Sequence, residues 1–240
     1  MRKDLYEDMY ETESHHFWHK AKREYVGKMI KEYAKQNEKN ILDIGCGTGK
    51  NMEELSKMGI VFGVDSSDDA LGFCTKRGLS NLKKGFAEKI SYESGQFDVV
   101  TILDVLEHVN DREVVTEMER VLKKKGIAII TVPAFPWLWS RWDEILGHKK
   151  RYTKETLLTL FNEKKWEVKK ISYIHSFLVL PTLIIRAIKT KQKKEYTSDF
   201  QLMNPFINGI LHSISLLEQM VVTRYDMPFG TSLLCVIQKK

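Results

Sequence analysis

The chain is poor in the features that mark several large protein classes. Cysteine occurs 3 times in 240 residues, at Cys46, Cys74 and Cys235, with no CxxC pair and no even set for a disulfide framework. That excludes a zinc ribbon and suits a reducing compartment. The apolar run over residues 176–188 is too short, and too interrupted by Pro181 and Arg186, to cross a bilayer. The opening segment, MRKDLYEDMYETESHHFWHK, places charges where a secretory signal needs an apolar core, so the chain is expected to be cytoplasmic. There is no strong charge excess either. A net charge of +6 permits nucleic acid, anionic lipid or acidic substrates without selecting one. Internal repeats and low-complexity tracts are missing too.

What is present is a core-forming composition, 42% hydrophobic, arranged as strand-like runs alternating with amphipathic helices. The runs are Ile41–Ile44, Ile60–Val64, Phe97–Leu103 and Ile127–Val132, the rhythm of parallel βαβ units. Asp111–Lys125 places Val114, Val115, Met118, Val121 and Leu122 on one face, with acids early and lysines late. It is predicted as a helix stopped by Gly126. A second helix capped by Thr153 is expected to run to about Phe161, followed by strands over Trp166–Tyr173 and at the C-terminal TSLLCVIQKK. Residues 175–226 break the alternation with apolar helical pieces and are predicted as an insertion between the last two strands. One domain over 1–240 results: an N-terminal helical cap (1–39), a core (40–174), the insertion and the last strand (227–240).

Residues 40–51, NILDIGCGTGKN, join a strand to a glycine-rich turn. A phosphate-binding GxxxxGK[ST] loop does not fit: Gly45 stands one position too close to Lys50, and Asn51 replaces the hydroxyl. The dinucleotide pattern GxGxxG wants its third glycine one place beyond Gly49, which leaves NAD a poorly matched alternative. A turn without ligand is the third reading. Asp65, at the end of the second strand and about twenty positions beyond Gly45, stands where a carboxylate can accept from two ribose hydroxyls. The cap of the next helix falls to Ser66 or Ser67.

Asp43-Ile-Gly45-Cys46-Gly47-Thr-Gly49, Asp65, FDVVTILDVLEHV and LKKKGIAIITVP together resemble the class I S-adenosylmethionine-dependent methyltransferases. The likeness runs through residues 40–133 and more weakly beyond. It implies a Rossmann-like α/β fold, with a seven-stranded, mostly parallel sheet, helices on both faces and an antiparallel last strand. The cofactor it implies is S-adenosyl-L-methionine. Asp43 and the backbone at Gly45, Cys46, Gly47 and Gly49 would hold the methionine end, Asp65 and Ser66 the ribose, and Ala87 and Glu88 the adenine, with Leu103 and Asp104 alongside. Phe86 stands where the family often has an acid; it could stack on the adenine or pack in the core. The fit is also chemical, since a sulfonium donor needs close backbone and acidic groups, and an activated methyl needs mainly alignment.

Asp104, Glu107 and His108 follow the fourth strand, at the ligand-binding edge of such sheets. His108, with Glu107, could be a general base toward a hydroxyl or amine. Alternatively Asp104-x-x-Glu107-His108 is similar to the metal-ligating ExxEH of small-RNA and quinone-precursor O-methyltransferases, with His148 as a further ligand to a divalent ion. A purely structural role is the third possibility. Trp137, Trp139 and Trp142 suggest an acceptor pocket or a plug in the core. The pattern around LGHKKRYT resembles a subgroup linked to cell-surface glycan or lipid modification, so the expected acceptor is a small molecule or a lipid- or glycan-linked group. His15 and His19, spaced HxxxH, lack the following glutamate of a zinc protease and are not expected to bind metal. Residues 176–194, apolar and then lysine-rich, could contact a membrane surface, or could be a buried or dimer-forming helix with a solvated tail. No nucleic-acid module is visible, and nucleic acid is not an expected partner. A non-catalytic binding protein would be favoured by loss of the glycines or Asp65, and neither is lost. The oligomeric state is not written in the sequence.

Overall fold

The computed structural model describes residues 3–189 and 203–240. Its centre is a seven-stranded sheet built from β1 (Asn40–Ile44), β2 (Ile60–Asp65), β3 (Leu82–Lys84), β4 (Phe97–Leu103), β5 (Leu122–Pro133), β6 (Trp166–Ile174) and β7 (Ser232–Lys239). The order across the sheet is β3-β2-β1-β4-β5-β7-β6. Strands β1 to β5 pair in parallel, whereas β7 runs antiparallel to both β5 and β6. The expected fold class is therefore the observed one.

Alternation along each central strand divides the core into two layers, because successive side chains point to opposite faces. Leu42, Val100 and Ile130 join the layer that contains Val114 and Met118 of α5 (Asp111–Val121). Their neighbours Ile41, Val99 and Ile129 join the other, which contains Tyr25, Met29 and Ile30 of α2 (Phe17–Tyr33). Sheets covered on both faces read as continuous apolar runs, and those runs are what made the strands visible in the sequence. The remaining helices are α1 (Lys3–Thr12), α3 (Lys50–Leu55), α4 (Asp68–Lys76), α6 (Arg141–Leu146), α7 (Lys154–Leu158), α8 (Val179–Lys189) and α9 (Pro205–Arg224). Helices α8 and α9 lie between β6 and β7 in the chain, within the stretch read as an insertion.

The structure corrects two local expectations. The helix predicted to reach Lys125 ends at Val121, and Leu122 turns extended (ψ 138°) to pair with Phe97. Gly126 is therefore not a helix stop. It lies in an irregularity of β5, where an added Cβ would come within 2.9 Å of the Lys123 carbonyl oxygen and 3.2 Å of that of Asp98. Sheet pairing of the fully buried Leu122 outweighs the helical preference of the lysines that follow. The second correction is α7: the helix expected to run to about Phe161 ends at Leu158, while β3, a three-residue edge strand, is too short to leave a periodic signal.

Candidate active site

The strand ends converge on one cavity of about 960 Å³. At one end it is walled by the turn after β1. Gly45, Gly47 and Gly49 have φ of 69°, 55° and 86°, left-handed values that side chains rarely adopt. A Cβ at Gly49 would also fall 2.7 Å from Leu79 Cδ1 and 2.9 Å from Cys74 Sγ. The turn is tied to β2, since the Val64 carbonyl accepts from the Gly45 and Cys46 amides at 2.8 and 3.2 Å. Asp65 completes the cradle, accepting from the Gly47 amide at 2.9 Å and from the Ser67 amide at 2.9 Å. Ser67, not Ser66, caps α4, and Ser66 faces the cavity. Phe86, Ala87 and Glu88 continue the wall; Phe86 is 67% exposed and is no core residue.

The other end gathers side chains from distant segments. Glu107 is fully buried, and neither carboxylate oxygen has a hydrogen-bond partner. Burial drives its pKa up to about 8, against the pull of Lys22 and Arg151. His148 Nε2 lies 3.8 Å from Glu107 Oε1, while its Nδ1 is 2.8 Å from Asp143 Oδ1. Asp143 is also gripped by Arg151, Nε to Oδ1 at 2.8 Å and Nη2 to Oδ2 at 3.0 Å. Against the upward pull of burial, the hydrogen bonds from His148 and Arg151 hold the Asp143 carboxyl well below the usual range. His108 Nδ1 is 3.2 Å from the Gly147 carbonyl, which can only accept. The proton therefore resides on Nδ1 and the lone pair on Nε2. Burial and neighbouring His148 lower the His108 pKa to about 4, so the ring is neutral at physiological pH. Glu107, His108 and His148 bring ligand atoms within 4.8 Å of one another.

Cys46, Leu103 and Asp104 line the cavity as well, but Asp43 and Gly49 do not. Asp43 lies behind the turn, fully buried, with Thr101 Oγ1 donating to Oδ1 at 2.6 Å and Oδ2 unpartnered; burial raises its pKa to about 7. Asp104 is not grouped with the metal-type cluster, because Lys22 takes Oδ2 and Thr131 donates to Oδ1 at 3.1 Å. Of the three tryptophans, Trp142 is buried on the cavity wall, and Trp137 and Trp139 are exposed. His15 is exposed and His19 lines the cavity, so the HxxxH pair is split.

The residue that sequence reading missed is Lys22, a buried cation paired with Asp104 and 3.2 Å from the centre of the Trp18 ring. Burial lowers its pKa well below the lysine range, while Glu107 opposes that shift. The signal was there: Lys22 falls between Trp18 and Tyr25 at helical spacing, on the face of α2 that turns inward. Asp143 and Arg151 gave no such signal, because their pairing exists only once α6 folds back.

The donor-set test for S-adenosylmethionine is met. Left-handed glycines allow close backbone approach, Asp65 has lone pairs left for ribose hydroxyls, and the cavity contains no phosphate-type cluster of lysines among its described lining residues. Comparison with known proteins points the same way. Residues 42–130 match the family model described as a methyltransferase domain. A ubiquinone biosynthesis O-methyltransferase of Paraburkholderia phymatum is 37% identical over 106 residues, covering 41% of this chain and 46% of that protein. The chain spans about half the length of the curated relatives it matches. Among solved structures, a SAM-dependent methyltransferase of Archaeoglobus fulgidus superposes with a TM-score of 0.58 at 22% identity, covering 91% of this chain and 94% of that one. The cyclase SpnF superposes at 0.61 with 17% identity, covering 92% and 82%, so the fold alone does not dictate the reaction. Residues 42–130 are thus similar to a methyltransferase domain, set in a sheet that shares its fold with these solved structures.

Proposed function

We propose that this chain transfers a methyl group from S-adenosylmethionine to a hydroxyl, or less favourably an amine, of a small-molecule or lipid- or glycan-linked acceptor. The observation that carries the reading is a cavity shared by the Gly45–Asp65 cradle and the buried Glu107, whose carboxylate accepts no hydrogen bond. The names of the curated relatives, O-methyltransferases of ubiquinone biosynthesis, favour oxygen over nitrogen. Buried free cysteines fit a cytoplasmic setting.

In this mechanism the Gly45 and Gly47 backbone and Asp65 would hold the donor, and the exposed Phe86 ring would be available to its base. When bound, S-adenosylmethionine supplies a methyl already activated on a sulfonium. What the chain must add is alignment and a place for the acceptor proton. His108 Nε2 carries the available lone pair and receives that proton as the new bond makes the hydroxyl acidic. Even a weakly basic imidazole suffices for a proton that has become acidic. Glu107, with Oε1 3.8 Å from His148 Nε2, offers a second acceptor once ionised. Lys22 and Thr131 keep Asp104 fixed beside them.

A second reading is favoured by one specific feature. Both imidazoles are anchored at Nδ1, His108 by a carbonyl and His148 by a carboxylate, which leaves both Nε2 atoms and the Glu107 oxygens to a ligand. That donor set fits a divalent cation, with Asp143 orienting His148. Such an ion would polarise an acceptor hydroxyl and lower its pKa.

Incubation with labelled donor and total lipid, glycan and RNA fractions, with and without chelator, tests both readings. Label in lipid or glycan is the expected result, and label confined to RNA would refute the acceptor class. Chelator sensitivity, restored by one divalent metal and lost in His148→Ala, would select the metal reading.

A further inference from the structure

Helix α9 is amphipathic in the wrong sense for a soluble protein. The side it turns to the body is polar: His212 Nε2 meets Glu24 at 3.0 Å, Tyr25 Oη donates to Glu218 at 2.9 Å, and Gln219 reaches the Ala21 carbonyl at 3.3 Å. The positions follow helical spacing, with Ser215 buried between them. The side it turns outward is apolar, with Phe206 76%, Leu217 65% and Met220 63% exposed, and Ile210, Ile214 and Val221 continuing the stripe. Leu180, Leu183 and Ile184 of α8 are exposed as well. Contiguous apolar surface of this kind marks an interaction site rather than ordinary scatter.

Charge identifies the occupant. By sequence the two helices carry three basic residues, Arg186, Lys189 and Arg224, and one acid, Glu218. That acid is buried against α2, where it accepts from the His175 and Ser176 amides at 2.7 Å each. Neither helix therefore presents a carboxylate outward. In sequence the chain continues after α8 with Lys191, Lys193 and Lys194, and then Glu195 and Asp199, a stretch of net positive charge that lies outside the described residues. By length and composition α9 could span a bilayer, yet its polar side is committed to α2, so it is held along the body.

We infer that the outward face of α8 and α9 docks on the surface of an anionic lipid bilayer, the apolar stripe entering the headgroup boundary and the net positive charge of this part of the sequence favouring anionic lipid. Phe177 and Leu178 in the turn just before α8, Pro181 of α8 and Leu211 of α9 also line the cavity. Membrane and active-site wall thus share the same two helices. This deepens the lipid-linked reading of the acceptor, but its test does not use activity, so the two can fail separately.

The test is flotation of the full chain with vesicles of phosphatidylcholine containing about 30% phosphatidylglycerol, beside pure phosphatidylcholine. The expected result is co-flotation with the anionic vesicles, weakened by about 0.5 M salt. In the double variant Leu217→Glu, Met220→Glu it should fall about tenfold. Both positions are solvent-exposed; an unchanged circular-dichroism melt checks folding, and Leu217→Ser is the milder version, expected to weaken flotation in the same direction. Absence of flotation, or flotation that ignores both variants, overturns the proposal. So does a dimer in sedimentation that Leu217→Ser converts to a monomer, which would make a second copy the occupant.

Discussion

At the Gly45–Asp65 end of the cavity the wall is main chain, held in shape by one carboxylate that caps two amides. At the Glu107–His148 end it is side chains, oriented by Asp143 and Gly147 from a segment roughly forty positions further along the chain, a reach only tertiary folding provides. The first end depends on backbone angles that few residues allow, and the second on buried groups whose charge is poorly compensated. Mutation should therefore disturb the donor end through binding and the acceptor end through rate and pH.

The largest contrast is expected from His108→Ala, which removes the proposed proton acceptor. Methyl transfer should fall roughly 1,000-fold, in the range for loss of an acid–base group, while calorimetric affinity for S-adenosylhomocysteine stays near wild type. Comparable loss of affinity would erase the distinction between the ends. Asp65→Ala should do the reverse, weakening that affinity roughly 100-fold through lost hydrogen bonds to a charged acceptor. Lys22→Met removes one half of a buried pair. It should cost about 2 kcal/mol of stability, less than a fully buried pair because Asp104 is partly exposed, and Lys22→Met with Asp104→Asn should recover much of it in urea unfolding. Phe86→Ala is the smallest case: about threefold to tenfold weaker donor binding, the scale of one aromatic contact, with no change in melting temperature because the ring is already exposed.

Glu107 also sharpens the comparison through pH. Its folded pKa of about 8 lies above the ordinary 4.5. Between those values the unfolded chain releases the proton and the folded chain keeps it, so the stability present below 4.5 is lost as pH rises toward 8 and levels off beyond. Glu107→Gln has no such loss, and its melting temperature should climb relative to wild type across that window. The rate offers a parallel check. With His108 as base, neutral above about 4, turnover stays level from pH 6 upward, roughly the range of ordinary assays. With the Glu107 carboxylate as base, it rises toward about 8.

Much of this molecule was legible before folding. Central strands show as continuous apolar runs because both faces are covered, and Asp43 to Gly49 with Asp65 shows because a strand-to-helix turn with left-handed backbone admits little but glycine. Boundaries were less legible: Leu122 belongs to β5 because Phe97 pairs with it, a partner 25 positions away that local propensity does not register. The same applies to Lys22 with Asp104 and to Arg151 with Asp143, each pair joined only when separate elements meet. Asp43 illustrates the opposite limit, a motif residue that the fold sets behind the turn instead of on the cavity wall.

The sequence by itself determined the central strands, the glycine cradle and the likeness to methyltransferase domains, because period and backbone permissiveness are local properties written residue by residue. Only the tertiary structure decided which way α9 faces and which acids are paired, neutralised or left open to a ligand. Burial and electrostatic partnership are properties of what lies across a gap, and the chain closes that gap only on folding.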